Sequence, residues 1–264
     1  MLKANEVFQN TTKTLLKENK KTAGAWLQLA SPLTAEIFAK AGFDWALVDM
    51  EHGPGDIMTL VAQCQALKAY DVDPLVRTPW NDFVTIKRIL DAGAYGILVP
   101  HVNTAEDARK AVAAAKYPPE GIRGIAPSPR AGGFGMNSQN YLEYANEQTL
   151  VMIAVETPEA LKNIDEIVSV EGLDGVFIGP MDLATSMGHF CNPAAAEVQE
   201  AIKKVEEAVL NSDKFLGTVA GSMEQAIGLY EKGYTFVVGM SDSVSLGKLA
   251  LENVKKFNEK YPDR

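Results

Sequence analysis

The sequence is short of the residues that cross-link, anchor or electrostatically commit a chain. Among 264 residues there are only two cysteines, Cys64 inside a helical pattern and Cys191 in a loop. They lie far apart and lack metal spacing, which excludes a disulfide framework and points to structural thiols in a reducing, cytoplasmic compartment. Basic residues are in deficit, 25 Lys and Arg against 34 Asp and Glu, for a formal net charge of −9. Without a basic stripe the chain cannot displace counterions from phosphates, so nucleic acid and anionic membranes are excluded as partners and small molecules remain. No run of about eighteen apolar residues occurs to span a bilayer. The opening MLKANEVFQNTTKTLLKENKK is polar and amphipathic, unlike a signal peptide. Also missing are a linker rich in Pro, Gly or Ser, a short-period repeat, and the G-x-x-x-x-G-K-[ST], G-x-S-x-G, H-E-x-x-H and post-strand G-x-G-x-x-G signatures.

What is present is an ordinary globular composition, 47% hydrophobic and 22% charged, in a length that suits one (β/α)8 barrel. Short apolar runs alternate with stretches of helical period from residue 24 onward, the pattern of βα units feeding a parallel sheet. Strands are predicted at 24–30, 44–49, 74–77, 96–100, 150–156, 173–178, 215–219 and 235–239. Helices are predicted at 34–41, 56–70, 82–92, 104–116, 158–168, 194–211, 222–232 and 241–259. Asp, Ser or Thr stands near several expected N-caps, and Gly93 and Gly233 stand where helices should stop. The expectation is a single α/β domain, a (β/α)8 TIM barrel over 1–264 with a helical extension at about 1–22. The longest irregular stretch, 117–139, carries two arginines among glycines and prolines and reads as a functional loop.

In such a barrel the carboxyl ends of the strands carry the chemistry. The second predicted strand runs into Asp49, Glu51 and His52, the third ends in Arg77, the fourth precedes His101, the fifth ends in Glu156, and the sixth runs through GVFIGPMD to Asp182. Two carboxylates on neighbouring strands, completed by substrate oxygens and water, are a site for a hard divalent ion. Each taken alone reads as the cap of a following helix rather than as a metal ligand, whereas the pair at one depth favours the metal. His52 lies three residues after Asp49, and a carboxylate that orients an imidazole makes a base for neutral pH. Glu51 reads as a structural partner for a cation or a backbone donor. Arg77 suits either an enolate oxygen or a structural ion pair. His101 and His189 have no carboxylate partner nearby in sequence and read as structural. Lys87 and Lys116 fall on helices and Lys214 at an amino strand end, which disfavours a Schiff base.

The segments FDWALVDMEHGPGD, VRTPWND, KRILDAGAYGILVPHVNT, YPPEGIRGI, AVETPEAL and DGVFIGPMDLATSMGH resemble the 4-hydroxy-2-oxoheptanedioate aldolase and 2-dehydro-3-deoxyglucarate aldolase family, in order from about residue 24 to 245. The resemblance implies a metal-dependent class II pyruvate aldolase on a barrel of the phosphoenolpyruvate/pyruvate superfamily type. It further implies a hexamer built from dimers that exchange the C-terminal helix. It places the metal ligands on Glu156 and Asp182, the base dyad on Asp49 and His52, and the enolate-binding arginine on Arg77. It assigns pyruvate carboxylate binding to the amides of Met181 and Asp182. Arg130 matches a loop arginine near the acceptor, and Asp91 an acidic residue that reaches a neighbouring subunit's site; Val219 completes the substrate-binding set. The chain departs from the pattern at Ala154, where these aldolases usually carry glutamine. The expected reaction is reversible cleavage of a 4-hydroxy-2-oxo acid to pyruvate and an aldehyde with Mg²⁺, Mn²⁺ or Co²⁺. The alternatives are a related acyl-CoA lyase, another chemistry of the superfamily such as carbon–phosphorus chemistry, or a non-catalytic metabolite-binding protein.

Overall fold

The structure, a computed structural model, describes residues 7–263, so the first six residues of the expected N-terminal extension lie outside the described residues. The extension contains helix α1 (Thr11–Lys17) and is followed by β1 (Thr22–Leu27), α2 (Pro32–Ala41), β2 (Trp45–Asp49), α3 (Ile57–Lys68) and β3 (Asp73–Arg77). Next come α4 (Phe83–Asp91), β4 (Gly96–Val99), α5 (Ala105–Ala115), a 3-10 turn (Arg130–Gly135), α6 (Ser138–Gln148) and β5 (Leu150–Val155). The chain continues through α7 (Pro158–Lys162), α8 (Ile164–Val168), β6 (Gly175–Ile178), α9 (Pro180–Ser186) and α10 (Ala196–Leu210). It ends with β7 (Phe215–Val219), α11 (Met223–Glu231), β8 (Phe236–Ser241) and α12 (Asp242–Lys260). Strands pair in sequence order, all parallel, and β8 closes on β1. The expected (β/α)8 barrel is the observed one.

Local chemistry accounts for the helix ends. Asp56, Asp82, Thr104 and Ser222 each accept the backbone N–H three residues on, and at Thr104 the reciprocal bond from its own backbone N–H to the Asp107 carboxylate completes a capping box. Gly93 and Gly233 stop α4 and α11 with φ of 106° and 102°. Several details differ from the sequence reading: the strand expected at 24–30 is Thr22–Leu27, and α9 was not among the expected helices. The helix expected over 158–168 breaks into α7 and α8 at Asn163. Helix α6 was not foreseen, because SQNYLEYANEQ buries only Tyr141 and Ala145 and so lacks a clear apolar stripe. Strand β6 starts at Gly175 and ends at Ile178, which puts Asp182 in the first turn of α9 rather than on a strand.

Strand alternation divides the core in two. Val48, Val76, Ile97, Val151, Ile153, Val155, Val176 and Ile178 pack outward against the helices. Trp26, Trp45, Leu47, Leu75, Leu98, Met152, Ala154, Phe177, Phe236 and Val238 fill the barrel itself. Trp45 stacks on Phe236 with ring centroids 3.7 Å apart. Gly24 makes room for that indole, since a Cβ there would lie 1.9 Å from it. The same inward positions, followed upward, turn polar: Trp45 and Leu47 lead to Asp49, Leu75 to Arg77, and Met152 and Ala154 to Glu156.

The amino end of the barrel is closed by the segment around α1. Asn10 donates to the carbonyls of Tyr95 and Gln148, Thr12 donates to buried Asp73, and Lys13 reaches both the Thr149 carbonyl and Asp174 at 2.8 Å. With that end sealed, the interior opens at the carboxyl end of the strands.

Candidate active site

Asp49 and Arg77 are register neighbours on β2 and β3 and therefore point the same way. Arg77 Nε donates to Asp49 Oδ1 at 3.0 Å and Nη2 to Oδ2 at 2.7 Å, a bidentate pair. Its Nη1 lies 3.0 Å from Glu51 Oε2, the cation partner read for Glu51, and its guanidinium sits 4.6 Å over the Trp26 ring. Asp49 also accepts the backbone N–H groups of Glu51 and His52 and a bond from Gln28 Nε2 at 3.3 Å. Burial alone would push the Asp49 carboxyl up, but Arg77 and these donors hold it below its ordinary range.

That geometry differs from the expected dyad. Asp49 touches only the backbone of His52, because its two oxygens are already taken by Arg77. The imidazole is 67% exposed and its Nε2 lies 3.9 Å from Glu51 Oε1. Glu51, half-buried and pushed up by burial more than Arg77 and His52 bring it down, is the carboxylate beside the ring.

Glu156 follows β5 directly and is buried. Its Oε2 accepts the His101 backbone N–H at 3.0 Å. Its carboxyl is pushed up to about 7 by burial, to which the charges of Asp182 and Glu51 add. The helix-cap readings of the two carboxylates do not hold: Thr157 caps α7, and α9 has no side-chain cap. A Cβ on Gly179 would lie 2.7 Å from Glu156 Oε1, so the glycine keeps open the space on that oxygen's side. Glu156 makes no ion pair among the described residues, and its burial beside two other carboxylates is relieved either by a proton, as its raised value shows, or by a cation. These residues fit a divalent ion. Among the described residues no group of three or more His, Cys, Asp or Glu side chains is placed to hold one, so an ion bound here would take most of its shell from substrate and water.

The remaining candidates divide between the two ends of the barrel. Val219 ends β7 and exposed Met181 lies in the first turn of α9, both at the open end. Ala154 is buried inside the barrel, opposite Phe177 and two residues below Glu156. Arg130 and Asp91 are at the other end. Helix α4 runs back antiparallel to the strands, so its last residue, Asp91, lies at the amino end, where it pairs with Arg123 at 2.7 Å. Arg130 Nη1 donates to the Ala92 carbonyl just below β4. Within one chain, then, Arg130 is not near an acceptor bound at the mouth. His189 pairs with Glu197, and of the cysteines Cys64 is buried and Cys191 exposed.

Sequence reading missed Gln28, Trp26, Gly179 and the His101 amide. Trp26 carried a usable signal, being the inward residue at the end of β1. Gln28 did not: its Oε1 accepts from Ser241 and Ser243 at the start of α12, more than two hundred residues away in sequence.

Comparison with known proteins gives the family. Residues 22–247 match the family model described as HpcH/HpaI aldolase/citrate lyase. The chain is 42% identical over 250 residues to 4-hydroxy-2-oxo-heptane-1,7-dioate aldolase of Escherichia coli, covering 95% of each chain. It superposes on an HpcH/HpaI aldolase/citrate lyase family protein from Burkholderia cenocepacia J2315 with a TM-score of 0.90 at 33% identity, covering 95% of this chain and 100% of that one. On the HpcH/HpaI aldolase from Desulfitobacterium hafniense DCB-2 the TM-score is 0.88 at 29% identity, covering 96% and 98%. The chain belongs to the HpcH/HpaI aldolase/citrate lyase family.

Proposed function

We propose that the protein is a carbon–carbon lyase, a metal-dependent class II pyruvate aldolase that reversibly cleaves a 4-hydroxy-2-oxo acid to pyruvate and an aldehyde. The observation that carries this reading is one barrel mouth that holds both a buried carboxylate without an ion pair among the described residues, Glu156, and a buried arginine clamped by Asp49 and Glu51. The first suits a divalent ion and the second suits developing negative charge on a 2-oxo oxygen. The name carried by the Escherichia coli relative supports the same reaction class.

Glu156 and Asp182 would hold the ion, Mg²⁺, Mn²⁺ or Co²⁺, which supplies Lewis acidity toward the 2-oxo acid. Arg77 stabilises the oxygen that gains charge as the carbon–carbon bond breaks, and Asp49, Glu51 and Trp26 fix its fork before substrate arrives. His52, exposed at the rim with Glu51 beside it, takes the proton from the 4-hydroxyl in cleavage and returns it in synthesis. The amides of Met181 and Asp182, in the first turn of α9, face the substrate carboxylate. The chain works in the cytoplasm as a homo-oligomer, a hexamer in which α12 packs on another subunit and Asp91 and Arg130 serve a neighbour's mouth. No described helix is long and apolar enough to cross a membrane.

The test is exchange of the pyruvate methyl protons with deuterated water, followed by NMR alongside aldol cleavage. Chelation should abolish both and a divalent ion restore them. His52→Ala should slow cleavage by about 10² to 10⁴ while leaving pyruvate binding intact, whereas Arg77→Ala should also stop exchange. Cleavage at full rate after exhaustive chelation sinks the metal reading, and normal exchange in Arg77→Ala sinks the role given to that arginine.

A further inference from the structure

Glu156 depends on a residue that makes no side-chain contact with it. His101 is the second residue past β4, after Pro100, and has φ of 56°, one of few non-glycine residues in the left-handed region. In that conformation its backbone N–H points into the barrel mouth and donates to Glu156 Oε2 at 3.0 Å. A residue with a Cβ holds such a conformation only where its surroundings enforce it. The surroundings here are the side chain itself: the His101 ring stacks on Trp80, centroids 5.5 Å apart and planes 29° apart.

Trp80 is a firm platform although it is 57% exposed. It sits between β3 and α4 in a tight turn closed by the Asp82 N–H on the Trp80 carbonyl, and Asp82 then caps α4. Neighbouring Asn81 donates to the Asp107 carbonyl of α5. On the far side of His101, Asn103 contacts Thr157 and accepts from Asn163 through its carbonyl, which fixes the loop to the one that carries Glu156. The histidine is thus held from both sides, by its ring and by its chain.

We infer that the Trp80–His101 stack is a positioning device: it holds the His101 amide on Glu156 Oε2 and so leaves Oε1, on the Gly179 side, aimed at the cation. The inference rests on the metal reading of Glu156 and Asp182. Neither Trp80 nor the His101 ring touches the ion or the substrate carbon; both act through the orientation of one carboxylate.

Mn²⁺ binding to the metal-free protein, read by electron paramagnetic resonance of the free ion, tests this without an activity assay. Trp80→Ala should weaken Mn²⁺ binding by about tenfold, the scale of one lost hydrogen bond to a carboxylate, and Trp80→Phe should restore it. His101→Ala, which keeps the strain but loses the stack, should weaken binding similarly. His101→Gly should bind within about twofold of wild type, because glycine adopts a φ of +56° unaided. In the His101→Gly background, Trp80→Ala should then have no further effect. Melting temperature measured without metal controls for folding, and a tenfold loss that tracks destabilisation equally in both backgrounds overturns the inference. So does unchanged Mn²⁺ affinity in Trp80→Ala when the wild type binds. A wild-type protein that binds no Mn²⁺ overturns the metal reading itself, and the inference with it.

Discussion

Asp49→Asn separates the two jobs open to that carboxylate, holding Arg77 or orienting His52. The substitution keeps the shape but removes the charge, and it sets an amide N–H₂ against one of the two guanidinium donors now bonded at 3.0 and 2.7 Å. A hydrogen bond to a charged group contributes about 1.5–3 kcal/mol, and removing one partner of a buried ion pair costs about 3–5 kcal/mol. Arg77 retains Glu51 at 3.0 Å and the Trp26 face, so the lower end applies, about 3 kcal/mol of stability. Urea unfolding of the metal-free protein should show that loss at neutral pH. Asp49 is pushed up by burial and pulled down further by Arg77, to a net value below its ordinary 3.8. Its stabilisation is therefore present above pH 3.8 and lost as pH falls through the lowered value, so the two unfolding curves should converge in acid. Turnover should drop by about 10², the effect of misplacing a group that binds developing charge. The deciding measurement is the cycle. In an Arg77→Met background the turnover effect of Asp49→Asn should vanish, and in a His52→Ala background it should persist in full. The opposite pattern, or a stability loss under about 0.5 kcal/mol, the scale of an ordinary surface change, would refute the argument.

Three further outcomes follow from the same geometry. Gly179→Ala adds no backbone strain, since φ is −92° there, but the new methyl would lie 2.8 Å from Glu156 Cγ and displace that side chain, so metal binding and turnover should weaken by at least about tenfold; full activity would show that the carboxylate has another place to go. The Glu156 carboxyl is pushed up to about 7 by burial, so its protonated form stabilises the metal-free fold below pH 4.5, and that contribution is lost as pH rises through 7. Excess Mg²⁺ should reverse this trend and Glu156→Gln should flatten it, both read as melting temperature against pH; a slope unaffected by either rules out this carboxyl as its source. Helix α12 buries only Asp242 and leaves Leu246, Leu249, Leu251, Val254 and Phe257 exposed, so light scattering should find a multimer that Leu249→Asp dissociates. A wild-type monomer at micromolar concentration would end the oligomer proposal.

The alternation of apolar runs with helical stretches, and the capping residues between them, determined the barrel, because periods of two and 3.6 residues are local properties of the chain. The polar residues at the strand ends were legible for the same reason: Asp49, Arg77 and Glu156 each continue an inward-facing row. Sequence did not determine which of them pair. His52 is three residues from Asp49 and Arg77 is twenty-eight away, yet the parallel register of β2 and β3 sets Asp49 beside Arg77, and the chain bends His52 outward to Glu51. The place of Asp91 and Arg130 at the sealed end was already implied by the predicted order, since both stand at the end of a helix or between it and the next strand; sequence could not show that His101 serves Glu156 through its backbone, since a φ of 56° leaves no mark on a histidine. Short-range periodicity decides what each segment becomes; closure of the barrel decides which distant groups share a face, and the site is made of such groups.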